Sequence, residues 1–280
     1  MKGTLDKRIT LINGIHRRLK LDSEIEDGKV SAAIERLFKD DEVLSGLEKA
    51  TRELRTTAHE IKMSVLKAFL SQLAKYGILS PNVDYVDWCS GRGELAYSLA
   101  HLVGSPVVRS DRKFSKKNLL EELFPCTRDY DIRNLQFDLN SLRSSNDVRA
   151  IPENPKGRVA YVGTYCCGSL PDLIVRYAQL QERMPDLIAI IPCHHEKMDF
   201  ELSNLASRIS LSQDVFNALR RVAGDLQLQN GYHVVARKAM EIIDYHRSLN
   251  LKHLGYDAKF VRIYSPSVSP FNNMIIGVKN

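Results

Sequence analysis

The stretch Val83-Asp84-Tyr85-Val86-Asp87-Trp88-Cys89-Ser90-Gly91-Arg92-Gly93-Glu94-Leu95 decides the fold. A short apolar strand ends in an acid, turns through small residues and opens into a helix over Glu94 to Leu102. Gly91 and Gly93 leave no side chain in the way, so a ligand can lie against the backbone at the helix N-terminus. The pattern fits Asp-x-x-x-Gly-x-Gly better than the dinucleotide Gly-x-Gly-x-x-Gly, because Ala96 stands where a third glycine would fall. S-adenosylmethionine carries an adenosine and an amino-acid tail but no phosphate, so it suits a glycine turn without a phosphate cradle. Asp87, Cys89, Gly91 and Gly93 are therefore candidate cofactor residues. The competing reading is an ordinary strand-turn-helix join with incidental glycines.

Outward from this turn, apolar runs at Tyr85-Val86, Val107-Val108, Leu135-Gln136-Phe137, Val159 to Val162 and Leu187 to Ile191 read as buried strands. Helical stretches lie between several of them, at Glu94 to Leu102, Asp172 to Arg183 and Leu211 to Ala223. A long helix from Ala236 to Leu254 precedes two final strands, Ala258 to Tyr264 and Asn273 to Val278, which form an antiparallel ending. Alternating strands and helices predict an α/β fold, a mainly parallel sheet covered by helices on both faces.

Before the glycine turn the chain reads as helix. Lys29 to Tyr76 is rich in Ala, Leu, Glu and Lys and contains no proline. It divides into segments of about Val30 to Lys39, Asp41 to Arg55 and Thr57 to Tyr76, closed by Gly77 and Pro81. Met1 to Lys20 holds six Lys or Arg against one Asp, with Leu5, Ile9, Ile12, Ile15 and Leu19 at helical spacing. A mitochondrial presequence has a similar composition. Asp22, Glu24, Glu26 and Asp27 follow at once, which favours a structural or RNA-touching helix instead. The expected organisation is a helical N-terminal extension over residues 1–56 and a sheet domain over residues 57–280.

No apolar run approaches the roughly 20 residues that span a bilayer, so no membrane partner is expected. Five cysteines, odd in number and partly adjacent, do not suggest a disulfide framework. A reducing intracellular compartment is expected, cytoplasmic or nuclear ahead of mitochondrial. The formal charge of +6 is compatible with a nucleic-acid partner.

In such a sheet, ligands bind beyond the carboxyl ends of the strands, near the switch point. Asp111, after the second strand, is placed to accept both ribose hydroxyls of the cofactor. Asp138, after the third, either meets the adenine amino group or caps a helix. Gly163-Thr164-Tyr165-Cys166-Cys167-Gly168 follows the fourth strand and Pro192-Cys193-His194-His195-Glu196-Lys197 the fifth. Adjacent strands bring these two loops together beside the cofactor. Zn²⁺ is the obvious rival use of Cys166, Cys167, Cys193, His194 and His195. Paired Cys-x-x-Cys spacings are absent, and neighbouring strand residues point to opposite faces, so all five cannot converge. No metal is expected.

Taken together, these motifs resemble the eukaryotic tRNA 2'-O-ribose methyltransferases that act on nucleotide 4 of the acceptor stem. The family's first motif falls on Asp87 to Leu95. Its Lys-His-Leu-Cys-Gly-x-x-x-Asp-Leu falls on Thr164 to Leu173, and its Cys-Cys-His-His on Pro192-Cys193-His194-His195. A basic helix matches Arg237-Lys238, Ile243-Asp244 and Arg247, and a closing Ser-x-Glu-Asn falls on Ser269 to Asn272. The resemblance runs from about Thr57 to the end. Thr164 and Tyr165 replace a lysine and a histidine, Phe271 replaces a glutamate, and the family's N-terminal zinc-binding segment is missing, as expected of a divergent member.

The resemblance implies a Rossmann-like class I methyltransferase fold with a seven-stranded sheet, S-adenosylmethionine as cofactor and RNA, foremost tRNA, as partner. Thr164 joins the candidate cofactor residues. A ribose 2'-hydroxyl is a weak nucleophile that needs a general base or electrostatic help. His194 and His195 are the candidate bases because imidazole titrates near neutral pH, with Tyr165 and Lys197 orienting the ribose or stabilising developing charge. Asp172 either holds a partner or caps its helix. Basic clusters at Arg17-Arg18-Lys20, Arg112-Lys113-Lys116-Lys117, Arg220-Arg221 and Arg237-Lys238 are candidate phosphate contacts. The alternatives are a methyltransferase acting on protein or a small molecule, and a non-catalytic RNA-associated factor that kept the fold.

Overall fold

The computed structural model describes residues 2–19, 31–53, 59–114, 129–143, 157–201, 212–225, 233–264 and 272–279. Seven strands form one sheet: β1 (Val83–Trp88), β2 (Val107–Asp111), β3 (Ile132–Gln136), β4 (Arg158–Cys167), β5 (Leu187–Cys193), β6 (Tyr256–Arg262) and β7 (Asn273–Lys279). Their order is β3-β2-β1-β4-β5-β7-β6. The first five strands pair in parallel, and β7 runs antiparallel to both β5 and β6. The chain works outward from β1 to β3 and then returns to place β4 on the other side of β1. That reversal opens a crevice at the carboxyl ends of β1 and β4.

Alternate strand residues feed two cores. One face, carrying Val86, Trp88, Tyr161, Ile188, Ile190 and Phe260, packs on α1 (Lys2–Leu19), α6 (Leu170–Leu180), α7 (Gln213–Asp225) and α8 (His233–His253). The other, carrying Tyr85, Val107, Ala160, Val162, Ala189 and Ile276, packs on α2 (Ala32–Asp40), α3 (Glu42–Glu53), α4 (His59–Lys75) and α5 (Glu94–Val103). Because both faces are covered, the central strands read as continuous apolar runs rather than alternating ones. Trp88 anchors the first core, edge-on to Tyr177 at 4.8 Å and to Tyr161 at 5.6 Å between ring centroids. Each such pair contributes about 0.5–1.5 kcal/mol beyond its buried area.

Residues ahead of the glycine turn contribute to both cores, Ile12 to the first and Phe38 and Leu44 to the second. Buried His16 on α1 places Nε2 2.7 Å from Glu241 Oε2 on α8. Glu241 Oε1 also accepts a bond from Arg262 Nη2 at 2.8 Å, so this buried carboxylate fastens α1 and β6 to one helix. Asp41 caps α3 by accepting the Val43 and Leu44 N–H groups, and its other oxygen lies 2.7 Å from His101 Nε2 on α5. The helical segment expected over Thr57 to Tyr76 runs from His59 to Lys75, with residues 57 and 58 outside the described ones.

One expectation is corrected. Gly163 to Cys167 does not form a loop after a short fourth strand; β4 continues through it to Cys167. The register with β5 shifts between Gly163 and Cys166, a bulge that keeps the strand paired while turning Tyr165 out of the regular pleat. Gly163 is required there, since a Cβ would stand 2.7 Å from Cys166 Sγ and 2.9 Å from the Trp88 carbonyl oxygen.

Candidate active site

The glycine turn closes on the neighbouring strand. Gly91 has φ +54°, and its N–H donates to Asp111 Oδ2 at 3.1 Å. Asp111 Oδ1 accepts the Lys113 N–H at 3.2 Å, so the carboxylate is held from both ends at the tip of β2. Beneath the turn lies Arg109, buried, with Nη2 donating to the Gly91 carbonyl oxygen at 3.2 Å and the guanidinium stacked over the Tyr97 ring. Gly93 has φ +94°, and a Cβ there would fall 2.7 Å from Arg109 Nε. The second glycine thus serves the packing of Arg109 under the loop, while the first presents its backbone to Asp111.

Asp87 shares this buried layer rather than the ligand side. Its side chain is buried, and neither carboxylate oxygen makes a hydrogen bond of normal geometry. Burial pushes its pKa up to about 8 against the opposing pull of the Arg109 charge. Asp87, expected at the cofactor, is buried and is not among the residues that line the neighbouring cleft.

A cleft of about 460 Å³ opens where the strand order reverses. Cys89, Asp111, Asp138, Tyr165 and Lys197 line it together, with Phe137 and Leu139 supplying an apolar wall. Five expected site residues thus converge from five different segments, the carboxyl ends of β1 to β5. Asp138 lines the cleft, and its Oδ1 accepts bonds from the Asn140 N–H and side-chain amide at 3.0 Å each, capping the 3-10 turn Leu139–Arg143. Thr164 is displaced from the group. It faces a separate recess with Met63, Leu66, Glu94 and Leu95, and Tyr165 borders both spaces. The Tyr165 hydroxyl is buried without a hydrogen-bond partner, and burial raises its pKa.

The two histidines part company. His195 is 1% exposed, with Nε2 2.9 Å from Asp244 Oδ1 on α8. Asp244 also accepts from Arg247 Nη1 at 3.3 Å and from the Asn273 amide at 3.0 Å. Arg247 in turn binds Asp172 through both Nε and Nη2, at 3.2 and 2.8 Å, and donates to the Gly168 carbonyl oxygen at 2.6 Å. His195, expected as a candidate base, therefore belongs to a buried network that clamps the ends of β4 and β5 to α8. Asp172 holds Arg247, which decides between the two readings weighed for it. His194 remains partly exposed at the end of β5, with Nδ1 3.1 Å from Glu196 Oε1.

Cys167 and Cys193 stand side by side, with Sγ atoms 3.0 Å apart. The hydrogen bond from Cys193 lowers the Cys167 pKa, helped by the charges of His194 and Lys197, and raises that of Cys193. Cys166 points the other way, buried with Sγ 3.9 Å from the Trp88 carbonyl oxygen. Among the described residues, the three non-glycine positions with a left-handed backbone are Cys89, Tyr165 and His194, with φ of 57°, 57° and 50°. Cys89 follows β1, Tyr165 sits in the β4 bulge and His194 follows β5, and such conformations persist where the surroundings over-determine them.

Several basic candidates prove to be structural. Arg220 donates to the Met198 carbonyl oxygen at 2.9 Å, and Lys238 to Asn13 Oδ1 at 3.1 Å. Arg237 lies 3.6 Å from the buried Glu241. Lys20, Lys116 and Lys117 lie outside the described residues. Exposed Arg112 and Lys113 stand at the end of β2, and Arg143 reaches across to Asp199 at 2.7 Å. Sequence reasoning missed Arg109 and the role of Arg247, since a basic residue inside a strand or helix looks like a solvated one. The glycines two residues apart were the available signal for Arg109.

The strand order and the antiparallel β7 are those of a Rossmann-like class I methyltransferase fold. No protein-family model matches the chain, and no curated protein matches it. Solved structures do. The methyltransferase domain of a bacterial Hen1 (CtHen1-CN) is 15% identical, covering 78% of this chain and 99% of its own, with a TM-score of 0.43. A fibrillarin/Nop5p complex is 11% identical, covering 76% and 83%, with a TM-score of 0.40. Coclaurine N-methyltransferase, bound to N-methylheliamine and SAH, is 12% identical, covering 98% and 93%, with a TM-score of 0.37.

Proposed function

We propose that the chain is an S-adenosylmethionine-dependent methyltransferase whose acceptor is RNA, foremost the ribose 2'-oxygen of a tRNA. The observation that carries the cofactor assignment is Asp111, fixed by the Gly91 N–H at the rim of the cleft where two ribose hydroxyls need an acceptor. Phe137 and Leu139 offer a flat apolar surface to a purine, with Asp138 at its edge. The cleft volume falls in the ordinary range for small-molecule sites. Methyl transfer from a sulfonium is an in-line displacement, so positioning supplies most of the catalysis. Lys197 and Tyr165 line the same cleft, where they would orient the acceptor and support charge as its proton leaves.

The RNA assignment rests on the resemblance of the motifs and on the cations Arg112 and Lys197, which line the cleft, with exposed Lys113 next to Arg112 in the chain. A protein or small-molecule acceptor is the second reading, favoured by the internal bonding of Arg220, Arg237 and Lys238, which leaves fewer cations for a polyanion. Incubation with labelled S-adenosylmethionine and unmodified total RNA, followed by nucleoside digestion, separates the two. Label on a ribose 2'-oxygen supports the RNA reading. Cofactor binding without label on any RNA overturns it in favour of the second.

A further inference from the structure

The expectation of no metal rested on the impossibility of gathering all five Cys and His side chains of the two strand ends. The folded chain sorts them instead. Cys166 turns towards the Trp88 carbonyl oxygen and His195 towards Asp244, leaving Cys167, Cys193 and His194 on one side. Their donor atoms all lie within 4.8 Å of one another. We propose that Cys167, Cys193 and His194 form a zinc site on the wall of the cleft, with a fourth position for water or an acceptor oxygen.

The backbone holds this trio in place. Cys167 and Cys193 are register partners on adjacent parallel strands, and the Gly168 N–H donates to the Cys193 carbonyl oxygen at 2.8 Å. A side chain at Gly168 would strike the Lys197 carbonyl oxygen at 2.8 Å, so the two strand ends can close this tightly only with glycine there. His194 follows Cys193 directly, and its left-handed φ of 50° folds the chain back at that point. Both thiols are also directed at one acceptor, the Tyr165 carbonyl oxygen, at 3.4 and 3.2 Å.

Two thiols and an imidazole make a soft donor set that takes zinc over magnesium or calcium. Two thiolates and one imidazole, with the fourth position open, is a zinc coordination already known in proteins. With Zn–S bonds of about 2.3 Å and tetrahedral angles, the sulfurs would stand about 3.8 Å apart. The observed 3.0 Å opens to that by a small rotation of either side chain. Glu196, 3.1 Å from His194 Nδ1, is the kind of carboxylate that orients a ligating imidazole. Cys167 is the member of the trio that lines the cleft, so the open position belongs to the same space as Tyr165 and Lys197. The inference stands on this cluster and does not depend on the methyltransferase reading.

The test uses the full-length chain, reduced and stripped of metal, titrated with Co²⁺ and followed by absorption. One equivalent of Co²⁺ is expected to give a thiolate-to-cobalt charge-transfer band that Zn²⁺ then bleaches. Cys193→Ser should abolish the band, His194→Ala should weaken binding by more than the roughly 10- to 100-fold that loss of an outer-shell partner costs, and Cys89→Ser should leave the band unchanged. X-ray absorption of the zinc-loaded wild type covers the case in which a variant fails to fold: two sulfur neighbours at about 2.3 Å and nitrogen or oxygen at about 2.0 Å are expected. No charge-transfer band in reduced wild type would overturn the proposal. So would a band that survives Cys193→Ser, or a Cys167–Cys193 disulfide whose reduction still yields no metal binding.

Discussion

The Gly91 N–H donates to Asp111 Oδ2 at 3.1 Å, joining the turn after β1 to the tip of β2 across the mouth of the cleft. This bond ties the conformation of the glycine turn to the placement of an acidic acceptor. Under the proposed function, Asp111→Asn keeps an oxygen for the backbone but removes the charge that ribose hydroxyls would meet. S-adenosylmethionine affinity should fall about 10- to 100-fold, the value of one or two hydrogen bonds to a charged group. The urea midpoint should barely move. Calorimetric titration alongside equilibrium unfolding reads both.

The packing of Arg109 under the turn makes Gly93 the less replaceable of two left-handed glycines. At Gly104, φ +64°, a Cβ meets nothing within 4 Å, so Gly104→Ala should cost about 1–2 kcal/mol from backbone strain alone. Gly93→Ala adds a collision with Arg109 and should cost about 1–3 kcal/mol more. Urea unfolding of both variants checks the difference. Placing Gly93→Ala in an Arg109→Ala background should recover part of it, as expected for coupled neighbours.

Arg247 lies between two buried carboxylates. Arg247→Met leaves Asp172 and Asp244 without their shared cation and should destabilise the fold by about 3–5 kcal/mol. Burial opposes ionisation of Asp244, but His195, Arg247 and Asn273 together hold its pKa below the usual value. A depressed folded-state pKa gives stability that is present above the unfolded value, near 4, and lost as pH falls through the folded one. Stability of the wild type should therefore drop below about pH 4, and Asp244→Asn should flatten that part of the profile.

Asp87 has the opposite sign. With a folded pKa of about 8 and an unfolded one near 4, the folded state holds a proton that the unfolded state releases. Its contribution makes stability decline as pH rises between those values. Asp87→Asn removes the ionisation and should gain on the wild type as pH rises, by an amount on the order of a few kcal/mol at pH 8. Unfolding measured at pH 5 and pH 8 on both proteins decides it.

Sheet, helices and cleft were legible because each rests on a local signal. Apolar runs between helical periods predict β1, β2, β4 and β5, and acids at strand ends predict Asp111 and Asp138 at the cleft, whereas the third strand, expected buried over Leu135 to Phe137, forms over Ile132–Gln136 as a partly exposed edge strand. The bulge in β4 was not legible: Gly163 to Cys167 reads as turn-like until the Cys166 side chain is seen to need the space beside a glycine. Nor could adjacency in sequence separate His194 from His195, since their division depends on Asp244, forty-nine residues beyond His195 in the chain. The burial of Asp87 was not legible either. Its charge suggested a ligand contact, whereas position 87 shares a strand face with Tyr85 and the second core.

The most direct test of the proposed function is a calorimetric titration of S-adenosylmethionine into the full chain, wild type beside Asp111→Asn. The account predicts saturable one-to-one binding to the wild type that weakens at least about tenfold in the variant. No binding to folded wild type, or equal binding to both, would contradict it.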